Sequence, residues 1–311
     1  MVIRGTFLDE ISHDIPHQNW GPAEWDADFA HMRAVGIDTV VLIRCGYRRW
    51  LTYPSEVVMS DEGGFEPPVD LVRLFLDLSA KHHMAFHFGL YDSGTYWTSG
   101  DYEAEVELNR RVIDEAWARY GDHPAFAGWY LSQECSRRIG RITEMYAELG
   151  RACKRVSGGL PVLISPYIDG PKNVDADAGV TARDSGVDLA THRREWNEIF
   201  AGISGAVDTV AFQDGHVDFA VLEDFLRANK QLADRHGLAC WTNSESFDRD
   251  MPIRFMPIKW EKLLLKLRAA ERAGITRAIT FEFSHFMSPQ SAYLQAGHLY
   301  NRYREYLESQ R

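Results

Sequence analysis

Ala127-Gly128-Trp129-Tyr130-Leu131-Ser132-Gln133-Glu134 is an apolar, aromatic run that ends abruptly in an amide and a carboxylate. Its length and content suit a buried strand. A carboxyl group at the tip of such a strand is costly unless it is solvated, paired or put to use. Near the middle of a chain of alternating strands and helices, that tip falls where a β/α barrel gathers its chemistry.

The same grammar extends in both directions. Helical spacing of Trp25, Phe29, Met32 and Val35 stops at Gly36, and a nearly continuous apolar run, Ile37 to Ile43, begins at once. The helix-stop glycine followed by a β-rich run recurs at Gly159-Leu160, Gly205-Ala206, Gly237-Leu238 and Gly274-Ile275. Strands are expected near 2–8, 37–44, 84–91, 125–133, 160–167, 206–213, 238–245 and 276–283. Helices are expected near 22–35, 69–82, 101–120, 137–156, 190–203, 218–235, 258–273 and 289–307. Eight strand–helix pairs predict a single (β/α)8 TIM barrel occupying residues 1–311. Helix-to-strand connections are short, whereas strand-to-helix connections are long at 45–68, 166–189 and 246–257. Long loops at the carboxyl ends of strands are what a barrel enzyme uses to build a pocket. The segment 166–189, rich in Gly, Asp and Ala, is the expected lid.

Composition narrows the function. A hydrophobic content of 45% in 311 residues supports a sizeable core. A net charge of −11 argues against nucleic acid or an anionic membrane as the partner. No run approaches 18 apolar residues, and the first residues read as a strand rather than a signal peptide, so a cytoplasmic protein is expected. Cys45, Cys135, Cys153 and Cys240 are scattered and are expected to be reduced and structural. Cys135 follows Glu134 directly, but a buried neutral thiol is the better reading than a nucleophile. Neither G-x-S-x-G, G-x-G-x-x-G nor a P-loop is present, and no cofactor is expected.

Strand tips carry the candidate chemistry. Alternation turns Gln213 inward on the sixth strand and Trp241, Asn243 and Glu245 inward on the seventh. On the eighth, placing Phe281 and Phe283 on the helix side turns Thr280 and Glu282 inward. The second strand ends at Arg44, the third carries His87, Tyr91 and Asp92, and the first offers Asp9 or Glu10, of which Glu10 is the chosen candidate. Glycoside cleavage needs two carboxyl groups flanking one bond, and Glu134 and Glu245 are the candidate pair. Gln133 and Tyr167 are further candidates for holding a sugar. Aromatic residues in strand-to-helix loops, Tyr47, Trp50, Tyr96 and Trp97, suit flat sugar faces. Each carboxylate alone could instead be a structural ion pair.

The opening Gly5-Thr-Phe-Leu-Asp-Glu-Ile-Ser-His-Asp14, with Gln18-Asn-Trp-Gly21, Leu42-Ile-Arg-Cys-Gly-Tyr47 and Gly128-Trp-Tyr-x-x-x-Glu134, resembles a bacterial glycoside-hydrolase-like family of unknown function. The layout is similar to the clan of retaining glycosidases with acids on strands four and seven. The resemblance implies a barrel acting on carbohydrate, with Glu134 as acid/base and Glu245 as nucleophile. The clan usually carries Asn before its acid/base, where this chain has Gln133, and Glu282 competes for the nucleophile role. Two other functions fit the same residues. One is a divalent-metal sugar isomerase or epimerase using His13, His87, His216 or His285 with Glu134, Asp214 and Glu282. The other is a non-catalytic barrel that binds glycans.

Overall fold

The structure is a computed structural model, and it describes residues 1–171, 186–248 and 255–310. Eight strands close a parallel barrel in chain order: β1 Ile3–Leu8, β2 Thr39–Leu42, β3 Ala85–Gly89, β4 Phe126–Leu131, β5 Val162–Ile164, β6 Thr209–Gln213, β7 Ala239–Asn243 and β8 Ala278–Thr280. The return from β8 to β1 pairs Thr280 with Thr6, which leaves no open edge in the ring. Eight main helices surround it: α1 Pro22–Ala34, α2 Leu71–Lys81, α3 Tyr102–Tyr120, α4 Ile142–Ser157, α5 Leu189–Ile203, α6 Phe219–Arg235, α7 Trp260–Arg272 and α8 Leu294–Ser309. The fold is the (β/α)8 barrel that the strand–helix alternation predicts.

Local chemistry explains why the elements stop where they do. Asp70, Asp101, Asp188 and Asp218 cap α2, α3, α5 and α6 with side-chain acceptors for the free amides of the first turn. Gly36 and Gly274 follow α1 and α7 at φ 90° and 86°, a left-handed conformation that other residues reach only with strain. Between the sheet and the helices lies the larger apolar layer, including Trp129, Trp196 and Phe212. A second cluster fills the barrel itself: Phe7, Val41, Ile43, Tyr130, Leu163, Ala211 and Ile279, with Trp241 and Phe281 against it.

That inner cluster corrects one inference from alternation. Ile279 and Phe281, not Thr280 and Glu282, face the barrel axis. Phe283 does pack in the helix layer, but Phe281 does not share its side, because β8 ends at Thr280 and Glu282 becomes the N-cap of a short helix, Phe283–Phe286. Strand parity therefore no longer applies at residue 282.

The loops at the carboxyl ends carry extra structure. Gly46–Tyr47, Trp50–Leu51 and Tyr91–Asp92 form a small three-stranded sheet after β2 and β3, and Phe247–Asp248 pairs with Met256–Pro257 after β7. Most of the expected lid, 172–185, lies outside the described residues. The four cysteines are buried free thiols. Among the described residues no helix is long and apolar enough to cross a membrane.

Candidate active site

A cavity of about 120 Å³ opens at the carboxyl ends of the strands. The β1 loop lines it with Asp9, Ser12, Asp14 and Ile15, and the end of β2 with Ile43 and Arg44. Glu134 enters from β4, Gln213 from β6 and Glu245 from β7, with Phe247, Phe255 and Phe281 as apolar wall. The two glutamates singled out in the sequence thus border one space, from strands on different sides of the barrel.

Glu134 is half-buried and held by its own strand: the Tyr130 hydroxyl, one helical-length step back, donates to Oε1 at 2.7 Å. Burial pushes its carboxyl above the usual carboxylate range. The Arg44 cation and hydrogen bonds from Tyr130 and Gln213 pull the other way without cancelling that effect. Arg44 is itself gripped by Asp92, Nη1 to Oδ2 at 3.3 Å. Burial disfavours the Arg44 cation, yet the carboxylates of Asp92, Glu134 and Asp9 outweigh it and strengthen its hold on the proton.

Glu245 is fixed through its main chain. Its N–H donates to Asp214 Oδ1 at 3.0 Å and its carbonyl accepts from Lys266 Nζ at 3.0 Å. Asp214 and Lys266 are both buried and paired at 2.7 Å, so a desolvated ion pair grips both peptide groups of the residue. Lys266 comes from α7, where it shares a face with Leu263 and Ala270. A lysine in phase with an apolar stripe is the sequence signal that could have found it.

Two polar atoms at the cavity are left wanting. Asp9 is 1% exposed; its Oδ1 accepts from the amides of Ile11 and Ser12, while Oδ2 has no partner among the described residues. Arg44 Nε is likewise buried and unpartnered. Buried polar atoms are rarely orphaned unless a ligand or water completes them. Ser12, Asp14 and the three phenylalanines line the cavity without being sequence candidates, and Asp9 lines it in place of the chosen Glu10. Counting by two from the inward Phe7 reaches Asp9, not Glu10.

Several sequence candidates lie elsewhere. Gln133 turns outward and donates from Nε2 to the Tyr91 carbonyl and to Glu105 Oε1, so it meets the helix layer rather than a sugar. Tyr91 is buried with its hydroxyl on the Arg48 carbonyl. Asp92 is spent on Arg44, the Gly94 amide and the Trp97 indole N–H at 2.9 Å, which also accounts for Trp97. His87 lies inside the barrel beside Gly128. Burial there, with Arg277 adding to it, lowers its pKa to about 4, which leaves it neutral. Asn243 donates to Ser165 Oγ at 3.1 Å, and Tyr167 packs on His216 with ring centroids 5.0 Å apart; neither lines the cavity.

Glu10 and Glu282 belong to a separate cluster around His285. Glu282 is fully buried, accepts from the amides of Ser284 and His285, and bonds His285 Nδ1. His285 Nε2 faces the Pro16 carbonyl at 2.6 Å and Glu10 at 3.8 Å. Among the described residues, no three or more His, Cys, Asp or Glu side chains converge to hold a metal ion. Cys135 is buried and its thiol is pushed up to about 12, as an inert structural group would be.

A closed parallel barrel with a polar cavity at its carboxyl face places this protein in the class of (β/α)8 barrels that carry their sites on that face. Residues 3–293 match the family described as "Domain of unknown function (DUF4434)", and the chain belongs to that family. It is similar to the crystal structure of a "putative alpha-L-fucosidase" from Bacteroides thetaiotaomicron VPI-5482, at 57% identity and TM-score 0.93, over 99% of this chain and 93% of that one. It is also similar in fold to an endo-1,4-beta-D-mannanase from Thermotoga petrophila RKU-1, at 12% identity and TM-score 0.53, over 90% and 87% of the two chains. A beta-galacturonidase from Eisenbergiella tayi matches at 11% identity and TM-score 0.57 over 98% of this chain, which spans about half of that longer one, 51%. The curated proteins contain no match.

Proposed function

We propose that this protein is a glycoside hydrolase, working as one barrel domain over residues 1–311, in which Glu134 is the acid/base and Glu245 the nucleophile. The observation that carries the reading is the meeting of two carboxylate side chains, from β4 and β7, on the wall of one cavity. Glu134 suits the acid role because burial favours its protonated form. It gives its proton to the leaving oxygen as the glycosidic bond breaks and Glu245 forms an ester with the anomeric carbon. The aglycone leaves as an alcohol. Glu134, now a carboxylate, then takes a proton from water as that water displaces Glu245, and the product keeps the starting anomeric configuration.

The remaining cavity residues fit sugar binding. Asp9 Oδ2 and Arg44 Nε offer an acceptor and a donor for ring hydroxyls, and Gln213 steadies Glu134. Phe247, Phe255 and Phe281 offer apolar surface to the carbon-bound faces of the ring. The name of the 57% identical relative makes alpha-L-fucosides the first substrates to try.

The test is release of 4-nitrophenol from a panel of aryl glycosides, beginning with the alpha-L-fucoside, with the product anomer followed by proton NMR. Turnover with first-formed product of unchanged configuration is expected. Inverted product would remove Glu245 from the nucleophile role, and sugar binding without turnover across the panel would remove the hydrolase reading altogether.

A further inference from the structure

We propose that the loop after β2 carries a second glycan subsite, outside the cavity, that takes an acidic sugar unit. The proposal rests on the carbohydrate reading of the cavity and adds the chemistry of the chain leading out of it.

The starting point is Arg44 on the cavity wall, whose guanidinium carbon lies 5.3 Å from the centroid of Tyr47. The Tyr47 ring is stacked near His13 at 5.7 Å and 19°, and Arg48 approaches the same ring at 5.2 Å. In the antiparallel hairpin Tyr47 is the direct partner of Trp50, so the two side chains share one face. Trp50 in turn meets Phe65 at 5.1 Å, and Arg49 covers that ring at 4.2 Å. Aromatic rings and guanidinium groups thus run outward from the cavity in alternation.

Three features separate this track from ordinary surface. Trp50 and Phe65 are 59% and 44% exposed, which leaves two large rings side by side in water. Arg48 and Arg49 are exposed with no ion-pair partner among the described residues, although the chain as a whole carries −11. The platform is also held in shape. Arg48 donates its N–H to the Asp92 carbonyl, Arg49 Nε binds the Gly63 carbonyl at 2.7 Å, and Phe65 N–H binds the Arg49 carbonyl at 2.7 Å. Arg48 keeps this place at φ 53°, where Gly or Asn would sit with less strain.

Rings bind the flat faces of sugars, and guanidinium groups bind carboxylate or sulfate. The fitting ligand is therefore a glycan whose unit beyond the cleaved bond is carboxylated or sulfated. The arginines supply the charge preference, and Trp50 supplies the stacking surface.

Binding is measured by calorimetry in the Glu134→Gln protein, so that the result does not depend on turnover. The probes are oligogalacturonides, chondroitin sulfate oligosaccharides and neutral xylo-oligosaccharides of matched length, at low and high salt. We expect one acidic series to bind more tightly than the neutral one and to weaken with salt. The Arg48→Ala/Arg49→Ala double variant should lose about tenfold or more for the acidic series with little change for the neutral one. Trp50→Ala should weaken both, and Trp50→Tyr should restore most of the loss. Which acidic series responds distinguishes carboxylate from sulfate. Absence of any acid preference, or affinities unchanged in the variants with normal thermal melting, would overturn the subsite. A barrel that binds acidic glycans through these residues yet hydrolyses nothing would keep the subsite and discard the hydrolase.

Discussion

Two places at the carboxyl face of this barrel hold buried carboxylates, and they differ in what surrounds them. At the ends of β4 and β7, Glu134 and Glu245 border a cavity, with unpartnered polar atoms on Asp9 and Arg44 beside them. Beyond β8, Glu282 is fully buried and accepts from two amides and an imidazole, with a second carboxylate, Glu10, close by. The contrast teaches that a strand-tip carboxylate is not a site by virtue of position. What marks the first region is incompleteness beside its glutamates: Asp9 Oδ2 and Arg44 Nε are buried without a partner among the described residues. The second region is complete and acts as a fastener between the β1 loop and the β8 loop.

The largest expected effect breaks the comparison directly. Glu134→Gln and Glu245→Gln should each lower kcat by about 10² to 10⁴ or more. Glu134→Gln should leave the melting temperature unchanged or raised, because it removes a carboxylate whose ionised form is penalised by burial. Glu282→Gln should do the opposite. Removing one partner of a buried charged pair costs about 3–5 kcal/mol of stability, while turnover per folded molecule survives. Steady-state kinetics with thermal melts on all three variants check this, and loss of kcat in Glu282→Gln without a melting change would merge the two regions into one site.

Much of this division was legible beforehand, and the failures have separate physical causes. The barrel followed from glycine-punctuated alternation, because helix stops and apolar runs are local signals that tertiary packing reinforces. Gln213 and Glu245 followed from counting alternate strand residues, and Glu134 and Arg44 from their places as the polar ends of apolar runs; all four border the cavity. On β8 the strand stops at Thr280 and Glu282 caps a short helix, so parity did not carry to it; on β1 parity held, and counting by two from the inward Phe7 reaches Asp9 rather than the chosen Glu10. Gln133 failed for another reason. Its neighbour Glu134 faces in, so Gln133 must face out, and a buried acceptor on α3, Glu105, was waiting there. The buried Lys266–Asp214 pair joins residues 52 positions apart, a relation no short-range pattern encodes.

That pair sharpens the comparison at intermediate size, since it is a fastener placed beside the cavity, on the main chain of Glu245. Lys266→Met should leave the buried Asp214 unpaired and cost about 3–5 kcal/mol. Asp214→Asn/Lys266→Met together should cost less than the sum of the single changes, by an interaction term of about 0.5–3 kcal/mol. Because Glu245 loses the Lys266 hold on its carbonyl, while the amide oxygen left at position 214 can still accept its N–H, kcat should fall in the double variant while KM changes little. Wild-type kcat there would show that the β7 tip holds Glu245 without help. Arg44→Met tests the other carboxylate. Arg44 lowers the Glu134 pKa, so its removal should move the alkaline limb of the kcat profile upward in pH.

The smallest expected effect concerns the complete region and its dependence on pH. His285 Nε2 faces a carbonyl and Nδ1 faces a carboxylate, so both nitrogens are placed to donate and the ring is placed to be an imidazolium. Burial alone would lower its pKa, but Glu282 first, and then Glu10, hold it up at about 9. A histidine whose folded pKa exceeds its unfolded value near 6.5 stabilises the fold fully below pH 6.5. That contribution fades as pH rises through 9, and its size is on the order of 1–3 kcal/mol. Glu10, raised by burial to about 7, fades in the same direction but in a lower window, from 4.5 to 7. The two contributions can therefore be separated. Melting temperature should fall between pH 7 and 9 in the wild type, together with faster amide exchange in the β1 loop, and His285→Gln should flatten that fall. An equal slope in the variant would show that the imidazolium does not fasten the two loops, and the contrast between a complete and an incomplete carboxylate cluster would then rest on the cavity alone.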